Sequence, residues 1–145
     1  MSKKTKEEKE EQLHKMRHSL AHIMAEAVQS MFPEVKFGIG PVIENGFYYD
    51  FDLPRTLIPE DLPLIEVKMQ EIIKQKNTFE RKEVSKKEAA EFFKKANEPY
   101  KLELIEELND GEITLYKSGQ FVDLCKGPHV DNTSQVGAFK LTHIA

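Results

Sequence analysis

The chain has 145 residues, a formal net charge of −4 and 39% hydrophobic side chains, a size and composition suited to one domain around a single core. Four Lys and four Glu cancel within residues 1–11, so the remaining body also carries −4 and is not held to nucleic acid by bulk charge. It holds no run of roughly 18 apolar residues to span a membrane, no secretory signal and only one cysteine, which reads as a soluble, cytoplasmic protein without internal disulfides.

The first expected element is a helix over about Lys6 to Met31. Leu13, Met16, Leu20, Ile23, Met24, Ala27, Val28 and Met31 recur at spacings of three and four, within roughly 70° of one direction. Pro33 stops the helix. Its first turns are polar all round and should fray, so residues 1–12 are expected as a charged, flexible start ahead of a domain over 13–145. A hairpin follows, Phe37 to Ile43 and Phe47 to Leu53, turning through Glu44-Asn45-Gly46, where Asn-Gly tolerates positive φ. Gly38 and Gly40-Pro41 make the first arm irregular, as a bulge or a place where backbone meets ligand. Tyr48 and Tyr49 point to opposite faces, one toward core and the other toward a site.

A second helix is expected from Pro59 or Glu60 to about Lys76, burying Leu62, Ile65, Met69, Ile72 and Ile73. A third starts at the capping-box sequence Ser85-Lys86-Lys87-Glu88, turns Ala89, Phe92 and Phe93 inward and ends near Asn97-Glu98-Pro99. Tyr100 to Leu108 reads as a short helix on Leu102, Ile105 and Leu108. Strands at Ile113 to Lys117 and Gln120 to Leu124 flank a Ser118-Gly119 turn, and Cys125 to Asp131 is a loop stiffened by Gly127 and Pro128. Ala138 to Ile144 alternates as a last strand, and the abrupt apolar end is expected of a fragment of a longer protein. Helices and hairpins in runs, without βαβ alternation, give an α+β class. The antiparallel sheet is built from hairpins and packs with the long N-terminal helix and two or three further helices.

Two motifs carry candidate chemistry. His18-Ser19-Leu20-Ala21-His22 places two imidazoles at i and i+4, on one helix face roughly 40° apart. That face lies opposite the apolar stripe, with Ala21 and Ala25 leaving room for another segment or a ligand. Histidines on a solvated face are the plain alternative. Cys125-Lys126-Gly127-Pro128-His129 holds the only cysteine and a histidine four positions apart in a stiff loop. Three His and one Cys make a full tetrahedral set for Zn²⁺. The same groups could instead position and activate a water, since His titrates near neutrality; a buried thiol beside a surface imidazole is the structural alternative. Asp123 lies two residues before Cys125 on the same side of its strand and could orient an imidazole, grip an ammonium group or cap the loop. Composition alone makes Lys101 an ordinary surface lysine, and His14 and His143, without sequence partners, a surface and a strand residue.

Three stretches together resemble a known family. His18-Ser19-Leu20-Ala21-His22, Ile39-Gly40-Pro41-Val42-Ile43-Glu44-Asn45-Gly46-Phe47-Tyr48-Tyr49-Asp50 and Asp123-Leu124-Cys125-Lys126-Gly127-Pro128-His129-Val130 are similar, in order and spacing, to the editing domain of bacterial threonyl-tRNA synthetase. The likeness runs from about His14 to the end. The related alanyl-tRNA synthetase editing domain shares only the HxxxH and CxxxH pairs. Lys126 stands where the family's loop usually carries Arg, which would weaken a phosphate contact. The ubiquitin-like domain that commonly comes first is absent from this sequence, as are the aminoacylation and anticodon domains.

The resemblance implies hydrolysis of serine wrongly esterified to tRNA(Thr). Serine differs from threonine by one methyl, which a synthetic pocket rejects by only about 1–3 kcal/mol. It implies that His18 activates or positions water and that His22, Cys125 and His129 shape the pocket. Lys101 would stabilise charge developing at the ester, and Asp123 would hold the serine amine or hydroxyl. Tyr49, Gly40, Pro41 and Leu124 would bind the substrate, with Tyr49 at the terminal nucleoside. No metal is required in this reading, with Zn²⁺ on His18, His22, Cys125 and His129 as an option because the alanyl-type relatives bind zinc there. The implied partners are the serine-bearing 3′ end of tRNA(Thr) and the remaining domains of a parent ligase. The alternatives are a zinc-dependent free-standing deacylase of seryl- or alanyl-tRNA, and a non-catalytic zinc-stabilised module that binds RNA or a partner.

Overall fold

A computed structural model describes residues 5–145; the part of the expected flexible start that precedes Thr5 lies outside the described residues. Helix α1 spans Lys6–Met31 and opens with a capping box in which the Glu8 amide donates to the Thr5 hydroxyl at 3.1 Å and the Thr5 amide to the Glu8 carboxylate at 3.4 Å. It closes at Phe32, whose amide reaches the Val28 carbonyl just before Pro33. Every residue from Ser19 to Val28 is buried. The helix is therefore not a surface element with one apolar stripe; it runs through the middle of the fold. Ser19, Ala21, Ala25 and Ala27 are small enough for neighbours to approach on every side. This corrects the placement of His22 away from the core: it is 2% exposed and enclosed by the edge-on rings of Phe79 and Phe121.

The expected hairpin forms as two short antiparallel ladders. Strands β1 (Lys36–Phe37), β2 (Val42–Ile43), β3 (Gly46–Phe47) and β4 (Phe51–Asp52) pair as β1 with β4 and β2 with β3. Between the ladders the Gly38 amide donates to the Asp50 carbonyl and the Asp50 amide to the Ile39 carbonyl. Gly40 explains the interruption, because a Cβ there would stand 2.2 Å from the Tyr49 ring. Tyr49 is 8% exposed and belongs to the core cluster, whereas Tyr48 faces solvent.

Helix α2 (Asp61–Lys74) buries Ile65, Met69 and Ile72 against α1, with Leu62 and Ile73 half-buried. Asp61 opens it, accepting from the Ile58 amide and from both arms of the Arg55 guanidinium at 2.8 Å. Strand β5 (Glu80–Glu83) has no counterpart in the sequence reading, because all four side chains are exposed and nothing alternates. It is the charged edge of a three-stranded sheet, antiparallel to β6 (Thr114–Ser118), which pairs with β7 (Phe121–Leu124).

Helix α3 (Lys86–Lys95) starts at Ser85, which accepts from the Glu88 amide. It turns Ala89 and Phe93 inward but leaves Phe92 39% exposed, since adjacent helical side chains diverge by about 100°. Helix α4 (Pro99–Glu106) buries Ile105 and also Lys101. These two helices and β6 share a second cluster with Val84, Phe93, Ile105, Ile113 and Leu115. A single 3₁₀ turn, Thr133–Gln135, was not legible in the sequence. The expected strand over 138–144 does not form: Phe139 and Leu141 pack on the core, and the Leu141 amide donates to the Glu66 carboxylate on α2 at 2.8 Å. Alternation says which side chains face inward, but a strand also needs a backbone partner, and here a side chain of α2 takes that place. His143 thus lies in irregular chain rather than in a strand.

The class is α+β, and the described residues form small antiparallel sheets of two, two and three strands around the long N-terminal helix and three further α-helices. No described helix is long and apolar enough to cross a membrane.

Glu26 sits on the buried stretch of α1 beside the Gly119 turn, 9% exposed, with Oε1 lacking a hydrogen-bond partner among the described residues. Burial pushes its carboxyl up to about 7. A raised value means the folded chain holds this proton more tightly than the unfolded one. Stability from this group is therefore greatest below the ordinary value of 4.5 and falls as pH rises toward 7. Glu26→Gln is expected to melt above the wild type at pH 8 and close to it at pH 4.5, read as Tm at the two pH values.

Candidate functional site

Four parts of the chain meet at one cleft of about 420 Å³. Helix α1 brings His18 and His22, the irregular hairpin brings Gly40, Pro41 and Tyr49, and α4 brings Lys101. Strand β7 and the loop after it bring Asp123, Leu124, Cys125 and His129. Every site residue singled out in the sequence lines this cleft, together with Ile39 and Lys126.

One wall is ionic. Lys101 Nζ lies 2.7 Å from Asp123 Oδ1 and donates to the Tyr49 hydroxyl at 3.0 Å, while that hydroxyl donates to Asp123 Oδ2 at 2.9 Å. The Leu124 amide adds a fourth bond, to Asp123 Oδ1 at 2.8 Å. Lys101 is 3% exposed, which corrects its reading as an ordinary surface lysine. It shares a face of α4 with Ile105 and turns inward because a carboxylate waits there; a buried ammonium persists only when paired. Burial first, and Asp123 second, push the Tyr49 hydroxyl well above its ordinary range, so it stays a donor.

The other wall is a thiol–imidazole cluster. Cys125 Sγ lies 3.3 Å from His18 Nε2 and 3.1 Å from His129 Nε2, and accepts from the Gly127 amide at 3.2 Å. Phe79 stacks on the His129 ring at 4.8 Å and Tyr116 meets it edge-on at 4.5 Å. Gly127, at φ +74°, admits no side chain, since a Cβ would stand 2.4 Å from the Tyr116 hydroxyl. His129 Nδ1 lies 3.0 Å from Ser19 Oγ. Sequence reasoning missed Ser19, Phe79 and Tyr116; Ser19 stands inside the HxxxH motif, and nothing local marks the other two.

Burial makes this wall neutral. It pushes the Cys125 thiol up to about 12, His129 down to about 2 and His22 down to about 4. His18 is lowered by its partial burial and then by His14, whose exposed ring lies 6.0 Å away.

His18, Cys125 and His129 each bring a donor atom within 4.8 Å of the others, whereas His22 does not join them. Both nitrogens of His22 are buried without a partner among the described residues. The four-ligand zinc set therefore contracts to three, the number that keeps a place open for water. Neutral imidazoles and a thiol that can lose its proton fit Zn²⁺ chemically.

Breaking the ionic wall strands a buried charge. Lys101→Met is expected to cost about 3–5 kcal/mol at neutral pH, and adding Asp123→Asn should recover part of that loss, both read by urea unfolding.

Comparison with known proteins gives a consistent picture. The family described as "Threonyl and Alanyl tRNA synthetase second additional domain" matches residues 113–144, the stretch that holds β6, β7 and the Cys125–His129 loop. The chain is 62% identical over 130 residues to a threonine–tRNA ligase of Dehalococcoides mccartyi, covering 90% of the chain and 22% of that protein. The corresponding ligase of Lawsonia intracellularis is 58% identical over 136 residues, 94% of the chain and 21% of the relative. That of Borrelia turicatae is 52% identical over 141 residues, 95% and 24%. The chain thus spans between a fifth and a quarter of the length of these relatives. Identity of this degree along nine-tenths of the chain, with the family match across its loop, means that the chain belongs to the threonyl-tRNA synthetase family, as the segment that contains the second additional domain.

Proposed function

We propose that the cleft hydrolyses the ester joining serine to the terminal ribose of tRNA(Thr), the proofreading step of a threonine–tRNA ligase. The observation that carries this reading is the meeting of a buried Lys101–Asp123–Tyr49 wall with a neutral thiol–imidazole wall across one cleft. Water attacks the ester carbonyl carbon, the carbon–oxygen bond to the ribose breaks, and the ribose hydroxyl takes up a proton. His18 is the half-buried imidazole on the cleft; neutral at physiological pH, it accepts the proton of the attacking water. His22, sealed among aromatic rings, holds the shape of the pocket. Two donor directions of the Lys101 ammonium go to Asp123 and Tyr49, and the third is available to the developing oxyanion. Asp123 holds the serine amine or hydroxyl, and Tyr49, Gly40, Pro41 and Leu124 line the place of the terminal nucleoside. His18, Cys125 and His129 would hold a Zn²⁺, which when bound lowers the pKa of its water.

Residues 13–145 form the proofreading unit in this reading. Its partners are the 3′ end of tRNA(Thr) and the other domains of a cytoplasmic parent ligase, where ATP-dependent charging takes place. A pocket sized for serine excludes threonine by one methyl, a second use of the same small difference.

The test is hydrolysis of seryl against threonyl esters on tRNA or a short 3′-end mimic, with and without chelator. The seryl ester should be lost at least tenfold faster, unaffected by chelator, and His18→Ala should slow it on the order of a hundredfold or more. Because burial shifts His18 downward, the midpoint of the acid-side fall in rate should lie below 6.5, the ordinary histidine value. Loss of activity on chelation would point to the zinc-dependent deacylase, and absence of hydrolysis with a bound mimic to a binding module.

A further inference from the structure

We propose that Ser19 is a positioning residue that fixes the tautomer of His129 and thereby leaves His18, not His129, as the imidazole free to take a proton from water. Ser19 is fully buried, and its Oγ meets two groups, the Val130 amide at 3.0 Å and His129 Nδ1 at 3.0 Å, with no other hydrogen-bond partner among the described residues. The amide can only donate, so Oγ accepts from it. The single hydroxyl proton then has one acceptor in reach, His129 Nδ1.

A neutral imidazole carries one proton, so that of His129 sits on Nε2 and points at Cys125 Sγ, 3.1 Å away. The sulfur already accepts from the Gly127 amide, so its own S–H turns to the remaining acceptor, His18 Nε2, at 3.3 Å. His18 is thereby the Nδ1–H tautomer, with that proton on a buried atom that has no hydrogen-bond partner among the described residues. Its Nε2 lone pair is met by the thiol, a weak donor that the O–H of a water can replace in a ring that lines the cleft. Without the Ser19 hydroxyl the order can invert, with S–H donating to His129 and the two histidines sharing the role of base. The tautomer assignment stands by itself; its consequence for ester hydrolysis rests on the function proposed above.

The experiment is long-range ¹H–¹⁵N NMR of the histidine side chains in the 145-residue chain, near neutral pH with chelator present, with His129→Asn to assign the signals. The expected wild-type result is a His129 ring protonated at Nε2 and bare at Nδ1. Ser19→Ala should turn this into a mixture or into the Nδ1–H form. The same variant should lower kcat for the seryl ester on the order of ten- to a hundredfold with little change in KM. Ser19→Thr, which keeps the hydroxyl, should keep the wild-type ring signals. A wild-type His129 protonated at Nδ1, or a Ser19→Ala ring still wholly Nε2–H, overturns the proposal. Should Ser19→Ala not fold, the wild-type tautomer decides alone. The expected tautomers in a chain that leaves the seryl ester intact would uphold the proton order and overturn the proposed hydrolysis.

Discussion

The structure depends on a helix that is buried all the way round. Over Ser19 to Val28, α1 has no solvent face, and it packs against α2, β2, β3, β7 and the 3₁₀ turn at once. A helix can do this only where small residues let neighbours close in, and Ser19, Ala21, Ala25 and Ala27 are interleaved with Leu20, Ile23 and Val28 for that purpose. Because His18, Ser19 and His22 ride on this rigid element, the candidate site has one wall that cannot drift. The hairpin and the Cys125–His129 loop are then positioned against it, by the bond that Arg17 of α1 donates to the Glu44 carbonyl at the hairpin turn on one side and the bonds from Ser19 to His129 and Val130 on the other.

Burial also divides the chemistry. The same low-polarity surroundings that leave the imidazoles and thiol neutral would expel an unpaired ammonium, and Lys101 is retained because Asp123 and Tyr49 meet it inside. One cleft therefore offers an ion-paired side that contains an ammonium donor and a neutral, proton-accepting side. Ester hydrolysis needs both, one for the negative charge that develops on the carbonyl oxygen and one for the proton that water must lose. The chain spans between a fifth and a quarter of its ligase relatives, so in the proposed reading it supplies this step while charging and most tRNA contacts belong to the remainder. In the same proposed reading, a net charge of −4 suits the domain to act on an RNA end delivered to it rather than to capture RNA by itself.

Much of the fold is written in local patterns. The limits of α1, the cap at Ser85, the Asn45-Gly46 turn and the β6–β7 hairpin all follow from periodicity, capping and turn chemistry, which act over a few residues. Where backbone pairing is made across long separations, the pattern is silent or misleading. β5 shows four exposed charged side chains and exists through its ladder to β6, some thirty residues on. Residues 138–144 alternate as a strand should, and still find a carboxylate of α2 in place of a neighbouring strand.

The candidate site divides in the same way. By itself the sequence determined the α+β class, the two histidine-bearing motifs and the loop that holds Cys125 and His129, because each is a matter of spacing along one element. Only the tertiary structure decided that His22 is a core residue apart from the other three donors, that Lys101 is buried against Asp123, and that Ser19, Phe79 and Tyr116 hold His129 in place. Burial and partnership are properties of whatever packs against a residue, and those neighbours come from segments tens of residues away.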